Sequence, residues 1–179
     1  MAHYDAIFKN GTIVNQDGTH LADIGVRGGL IAALGSLGPA TADVVTDCAG
    51  LHILPGVIDT QVHFREPGLE HKEDLATGSL AAVMGGVTAV FEMPNTNPLT
   101  VTREAFADKI ARASGRMHCD FAFFIGGTHE NVGELPELER MPGCAGVKVF
   151  MGSSTGSLLV ADDDGVGSIL RVISRRAAF

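Results

Sequence analysis

The chain has 179 residues, 45% hydrophobic and 19% charged, with a formal net charge of −8. That composition supports a buried core, in one medium domain or in a small domain joined to part of a larger one. The acidic balance argues against nucleic acid as the main partner, and the only basic run is the pair Arg175-Arg176.

The opening residues, MAHYDAIFKNG, contain no apolar stretch of signal-peptide kind. Residues 1–52 read as short strands. Tyr4–Phe8, Thr12–Val14, Asp23–Val26 and Leu30–Leu34 are punctuated by Lys9-Asn10-Gly11, Asn15-Gln16-Asp17-Gly18 and Arg27-Gly28-Gly29. Such punctuation predicts antiparallel hairpins. From residue 53 the pattern alternates. Ile53–Phe64 reads as a buried strand, and Glu70–Met84 as a helix with Ala76, Leu80, Val83 and Met84 on its apolar face. The uncharged stretch Leu75–Phe91 is broken by Gly78, Gly85 and Gly86 before it could span a bilayer, so a soluble, cytoplasmic protein with no membrane partner is expected.

Strand Val87–Met93 follows, then helix Thr102–Ala113 with Phe106, Ile110 and Ala113 inward. Strand Phe121–Ile125, a short helix within Asn131–Arg140, strand Val147–Met151, helix Asp162–Ser174 and a fifth strand, Arg175–Phe179, complete the order. Strand alternating with helix implies parallel βα units, closed as a (β/α)8 barrel or open as a doubly wound sheet. No GxGxxG follows the first of these strands, which counts against a dinucleotide site. A barrel needs about 250 residues, so residues 53–179 would supply about half of one, some four βα units. Half a barrel leaves open sheet edges, and a missing C-terminal portion or an unusual partner is expected. Cys48, Cys119 and Cys144 are odd in number and widely spaced, which predicts reduced, mostly buried thiols.

Three places carry chemistry. On the first strand of the alternating region, period-two alternation puts Ile58, Val62 and Phe64 on one face and Asp59, Gln61, His63 and Arg65 on the other. Four polar side chains inside a barrel are costly unless something binds them, and barrel active sites lie at the C-terminal strand ends. Lys148 sits within the apolar strand Val147–Met151. Two readings stand for it: a buried amine with a lowered pKa that could take up carbon dioxide as a metal-bridging carbamate, or a side chain that snorkels out of the strand end. Asn95, in Met93-Pro94-Asn95-Thr96-Asn97-Pro98, is either a rigid amide at the barrel mouth or an ordinary turn residue.

Pro55-Gly56-Val57-Ile58-Asp59 with Val62-His63-Phe64-Arg65-Glu66-Pro67-Gly68 resembles the first-strand signature of dihydroorotases. Gly85-Gly86-Val87-Thr88 and Met93-Pro94-Asn95-Thr96 resemble the second-strand signature, and Val147-Lys148-Val149-Phe150-Met151-Gly152-Ser153-Ser154 the fourth. Lys9-Asn10-Gly11 and Ala49-Gly50 are similar to the β-sandwich half of the amidohydrolase superfamily. The resemblance therefore implies a β-sandwich segment at 1–52 and an incomplete (β/α)8 metal-dependent hydrolase barrel at 53–179.

The same resemblance implies one or two zinc ions, with His63 matching the second histidine of a His-x-His metal motif and Lys148 matching the carbamylated bridging lysine. Arg65 and Asn95 match residues that hold the substrate carboxylate, and Asp59 matches a position that orients ligands. The activity implied is reversible hydrolysis of dihydroorotate to N-carbamoyl-L-aspartate in pyrimidine biosynthesis, by an enzyme expected to form homo-oligomers. Hydantoinases and allantoinases usually lack the arginine after His-x-His, so Arg65 with Asn95 favours a dihydroorotase.

One departure is Gln61, where the first metal-binding histidine is expected; an amide oxygen is the weaker zinc ligand. It favours a second reading, a non-catalytic homologue that assembles with aspartate carbamoyltransferase. The histidines of strands five and six and the proton-shuttling aspartate are expected beyond Phe179, so this chain alone is expected to be inactive. His3, His20, His52, His71, His118 and His129 match no ligand position and are expected to be surface or structural.

Overall fold

The computed structural model describes residues 2–152, 158–173 and 177–178. The chain divides into two compact units, Met1–Pro55 and Gly56–Phe179. No described helix is long and apolar enough to cross a membrane.

The spine of the first unit is β1 (His3–Asn15). β2 (Gly18–Arg27) and β3 (Leu30–Gly35) follow it as antiparallel hairpins. The β2–β3 turn uses Gly28 and Gly29 at φ 59° and 75°, a left-handed pair that matches strand twist and that side chains resist. β4 (Thr41–Asp47) and β5 (His52–Ile53) then return parallel to β1. Hairpin signals predict only the antiparallel part; the β2–β3 hairpin serves as the long crossover that a parallel return needs. Lys9-Asn10-Gly11 does not separate two strands either. β1 runs through it with a register shift between Phe8 and Gly11, and Asn10 takes φ 61°. The Asn10 backbone N–H donates to Asp23 Oδ1 (3.0 Å) and its side-chain amide to Asp47 Oδ1 (2.9 Å), so the sequence signal is that of a bulge, which bends a strand without ending it. The described residues of this unit form a single five-stranded sheet.

The second unit is a parallel sheet of β6 (Val57–Val62), β7 (Val87–Glu92), β8 (Asp120–Gly126), β9 (Cys144–Lys148) and β10 (Ala177–Ala178), in the order β10-β9-β8-β7-β6. Between successive strands lie α1 (Leu75–Met84), α2 (Arg103–Ala113), α3 (Leu135–Leu138) and α4 (Asp163–Val172). Every strand neighbours the next in sequence, so right-handed crossovers put all the helices on one side. A doubly wound sheet reverses its strand order; this sheet does not, and its progression is that of part of a (β/α) barrel. Phe64, Val90, Phe106, Phe123, Val147 and Ile169 are buried together between sheet and helices.

Several expectations change in this unit. The predicted buried strand Ile53–Phe64 is two pieces, β5 in the first unit and β6 in the second. Val57 and Ile58 are 55% and 58% exposed, because β6 is an edge strand that pairs only with β7 among the described strands. α1 starts at Leu75, not Glu70, because Asp74 caps it in a reciprocal box with Thr77. It buries Leu75, Gly78 and Ser79 and leaves Leu80, Val83 and Met84 exposed. The small residue sets that rotation: a Cβ at Gly78 would run into the Phe64 ring. In contrast, α2 follows its pattern, with Thr102 as cap and Phe106 and Ala113 buried. β9 ends at Lys148, three residues short of its predicted end. Of the expected fifth strand, Ala177–Ala178 pairs with β9; Ser174–Arg176, Phe179 and the motif residues Ser153 and Ser154 lie outside the described residues.

Candidate functional site

Parallel strands end on a common rim, and the register fixes it. Val62 pairs with Glu92, Glu92 with Phe123, and Gly126 with Lys148. Val62, Phe64, Val90, Phe123, Ile125 and Val147 belong to the helix-side core. Period-two alternation therefore puts Asp59, Gln61, His63, Phe91, Phe124 and Lys148 on the opposite face. Phe91 and Phe124 meet there edge to face, centroids 6.2 Å apart.

His63 is half-buried just beyond β6. Its Nδ1 lies 2.8 Å from Asn95 Oδ1, so the ring donates from Nδ1 and, when neutral, keeps its lone pair on Nε2. Burial holds its pKa below the usual histidine value, and the charges of Arg65, Lys109 and Lys148 push the same way while the Asn95 bond opposes them. His63 and Lys148 thus share a face and sense one another. Asp59 and Gln61 share it too, but both are exposed, so the cost of burial is not what holds those two polar groups there. The Asp59 carboxylate accepts the Gln61 backbone N–H (3.0 Å), which shapes the strand. Lys148 is half-buried, with Nζ 5.3 Å from the Phe150 ring centroid.

Alternation does not extend to Arg65, as the sequence pattern had implied. β6 has ended by then, and Arg65 takes a left-handed φ of 65°, a conformation that costs a non-glycine residue about 1–3 kcal/mol and recurs at ligand sites. The turn is closed by Leu69 N–H donating to Arg65 O (3.0 Å). A second rim loop, residues 94–100, is locked to the first. Asn97 N–H donates to Pro67 O (3.0 Å) and Met93 N–H to Val62 O (3.0 Å). Gly68, at φ 92°, lies so close to Asn97 that a side chain would collide with it. The Glu66 carboxylate anchors the first loop from below, accepting from Arg116 Nη1 and Nη2 (2.7 and 3.0 Å) and from Leu75 N–H (3.1 Å).

The deeply buried lysine of this molecule is Lys109, which the sequence reading passed over. It is 0% exposed and ion-paired with Glu92, 1% exposed. Its Nζ donates to Met93 O (2.9 Å), reaches Thr100 Oγ1 (3.4 Å) and lies 5.1 Å from the Phe123 ring centroid. Burial pushes Glu92 up to about 7 against the pull of Lys109, and burial likewise lowers Lys109. A signal was available: Lys109 stands on the Phe106–Ile110–Ala113 stripe of α2, which points at the core.

Metal binding is only partly provided for. Among the described residues no group of three or more His, Cys, Asp or Glu side chains converges. His63 and Lys148 share a face, and Gln61 is an exposed amide. Four-coordinate zinc asks for more than this set supplies, so the described residues alone do not fit the ion. His129, with Nε2 3.0 Å from Asp162 Oδ2, is half-exposed, and His3 bonds Thr41 and Asp43 at the surface. Cys48 and Cys144 are buried and Cys119 is half-buried, and none of the three is in a disulfide.

A family model described as Dihydro-orotase-like matches residues 50–138. The allantoinase of Rubrobacter xylanophilus is 42% identical over 158 residues, covering 88% of this chain and 34% of that protein. The allantoinase of Desulfitobacterium hafniense is 40% identical over 151 residues, covering 84% and 33%. The L-hydantoinase (dihydropyrimidinase) of Arthrobacter aurescens superposes with a TM-score of 0.86 at 33% identity, over 93% of this chain and 37% of that one. Together these likenesses support a cyclic amidohydrolase of the amidohydrolase superfamily. The chain spans about a third of the length of the curated relatives it matches. The relatives are named allantoinase and hydantoinase, while the matching family model is described as Dihydro-orotase-like.

Proposed function

We propose that this chain supplies the substrate-binding rim of a cyclic amidohydrolase acting reversibly on dihydroorotate. In the hydrolytic direction water adds to the ring amide carbonyl, the C–N bond breaks, the ring nitrogen takes a proton, and N-carbamoyl-L-aspartate results. The observation that carries the reading is the hydrogen bond from His63 to Asn95 beside Arg65. It fixes the Asn95 amide plane, while the Arg65 guanidinium offers a fork matched to a carboxylate. Dihydroorotate carries such a carboxylate on its ring; allantoin and hydantoin do not.

Zinc belongs to the same proposal, as does a carbamate on Lys148. His63 and Lys148 are the candidates of this chain to contact metal, with Gln61 in the place of a histidine and Asp59 behind it. They are too few to define a coordination shell, so this chain's residues are assigned binding and orientation alone. A homo-oligomer in the cytoplasm is the corresponding expectation for the whole protein.

Two other readings have support. Identity of 40–42% to allantoinases favours allantoin as the ring substrate. Exposed Gln61, in place of the histidine, favours a non-catalytic partner of aspartate carbamoyltransferase. One experiment separates all three: zinc content and turnover of dihydroorotate, allantoin and hydantoin by the purified whole protein, because the residues of this chain alone hold too few metal ligands to be expected to turn over any of them. The expected result is bound zinc and a kcat/KM for dihydroorotate well above the other two. Preference for allantoin overturns the substrate assignment. No turnover of any ring, with co-purification of aspartate carbamoyltransferase, overturns the enzymatic reading.

A further inference from the structure

We propose that the buried pair Glu92–Lys109 is a positioning element of the rim, holding the loop that carries Asn95 against the segment that carries His63 and Arg65. Its consequence for turnover rests on the cyclic-amide reading above; its existence rests on geometry alone.

Lys109 enters from α2 on the helix side of β7, so it acts through other residues and not on a ligand. Its ammonium pairs with Glu92, donates to Met93 O (2.9 Å) and reaches Thr100 Oγ1 (3.4 Å). Met93 and Thr100 are the two ends of the loop that bears Asn95. That loop is closed on itself, with Thr100 N–H donating to Pro94 O (2.9 Å) and the Thr96 and Thr100 hydroxyls 3.0 Å apart. The loop therefore sits as one unit on a single ammonium.

The other half of the pair stands beside the first segment. Glu92 is the register partner of Val62, the residue before His63, and the N–H of the next residue, Met93, donates to Val62 O (3.0 Å). The ion pair thus grips the second loop and lies at the strand ends from which both rim segments leave, and they meet at the 2.8 Å contact between His63 and Asn95. Stability alone gives no reason for charges here, because a buried ion pair can often be replaced by apolar groups of similar volume without loss. Direction does: three contacts from one ammonium, to Glu92, Met93 and Thr100, fix the loop on the strand end in a way that apolar packing does not.

The test uses three variants of the full protein. Glu92→Gln with Lys109→Met keeps a polar side chain at the end of β7 and removes the ammonium. Glu92→Leu with Lys109→Met removes both. Thr100→Val leaves the pair in place and weakens its hold on the loop. The first readout is the ring nitrogen NMR spectrum of His63 in metal-free protein, which reports the Nδ1–H bond to Asn95; the second is kcat/KM with dihydroorotate.

Both double variants are expected to keep or raise Tm, to lose the Nδ1–H signature of His63, and to lower kcat/KM about 10–100-fold. Thr100→Val is expected to weaken that signature in part. Folded double variants with an unchanged His63 spectrum and kcat/KM within twofold of wild type overturn the proposal. Should neither double variant fold, an unchanged His63 spectrum in Thr100→Val overturns it. A wild-type protein that turns over no ring amide while its variants still disturb His63 counts against the substrate reading and leaves the positioning role supported.

Discussion

The two faces of the second sheet each carry a lysine, and the two lysines differ. On the helix side, Lys109 is fully buried and its ammonium is held by a carboxylate, a carbonyl and a hydroxyl. On the opposite face, Lys148 is half-buried against Phe150, on the side of the sheet that carries His63. The lesson concerns where a buried charge hides. A lysine in an apolar strand draws notice, yet a strand end gives its amine a way out. A lysine on the core stripe of an amphipathic helix looks ordinary, and it is the one with no way out.

Five substitutions sharpen or break that contrast. Lys109→Met should have the largest effect. It strands Glu92, and losing one partner of a buried pair costs about 3–5 kcal/mol. Burial raises Glu92 to about 7 even against the pull of Lys109, and without Lys109 that pull is lost, so the folded variant keeps a proton that the unfolded chain gives up in the ordinary carboxylate range and its stability falls as pH rises. Urea unfolding should accordingly show a larger loss at pH 8 than at pH 6, and equal losses at the two would mean that Glu92 is not the group left stranded. In the rim loop beyond β6, Arg65→Met should lower kcat/KM for dihydroorotate about 100-fold, mainly through KM, with little change in Tm, since a charge-assisted hydrogen bond contributes about 1.5–3 kcal/mol. A variant with normal KM would remove Arg65 from the carboxylate site.

Gly78→Ala drives a Cβ into Phe64 and should cost about 1–3 kcal/mol by overpacking, while Leu80→Ala on the exposed face of α1 should stay within about 0.5 kcal/mol. Reversed magnitudes in thermal unfolding would invert the assignment of that helix's faces. The smallest effect is electrostatic. The Asn95 bond raises the His63 pKa against burial, so Asn95→Leu should move the His63 titration to still lower pH by NMR. Because the folded pKa lies below the ordinary value near 6.5, the folded state binds fewer protons in that window, and the stability His63 contributes above it is lost as pH falls through its folded pKa. A rise in the His63 pKa on removing Asn95 would contradict the hydrogen bond.

Much of the second sheet was legible in the sequence, because alternation of strand and helix is a local pattern and consecutive strand order follows from short right-handed connections. α2 was legible for the same reason: Thr102 caps it and Phe106 and Ala113 point inward. α1 was not, since its buried face is made of Gly78 and Ser79 and small residues give no hydrophobic signal. The parallel return of β4 and β5 was hidden by turn residues that look alike whichever way the chain goes next. Arg65 could be named from its motif, but its left-handed backbone could not.

From the sequence alone came His63 and Asn95, whose side chains touch on the rim, and the placing of Lys148 on the same face as His63, because short motifs and a period of two are properties of the chain itself. Tertiary structure decided which polar groups are removed from water: it left Asp59 and Gln61 exposed and buried Glu92 and Lys109 together. Burial belongs to what packs on a residue, and for Lys109 the covering groups come from β7, β8 and the loop at 94–100, segments whose approach no local pattern records.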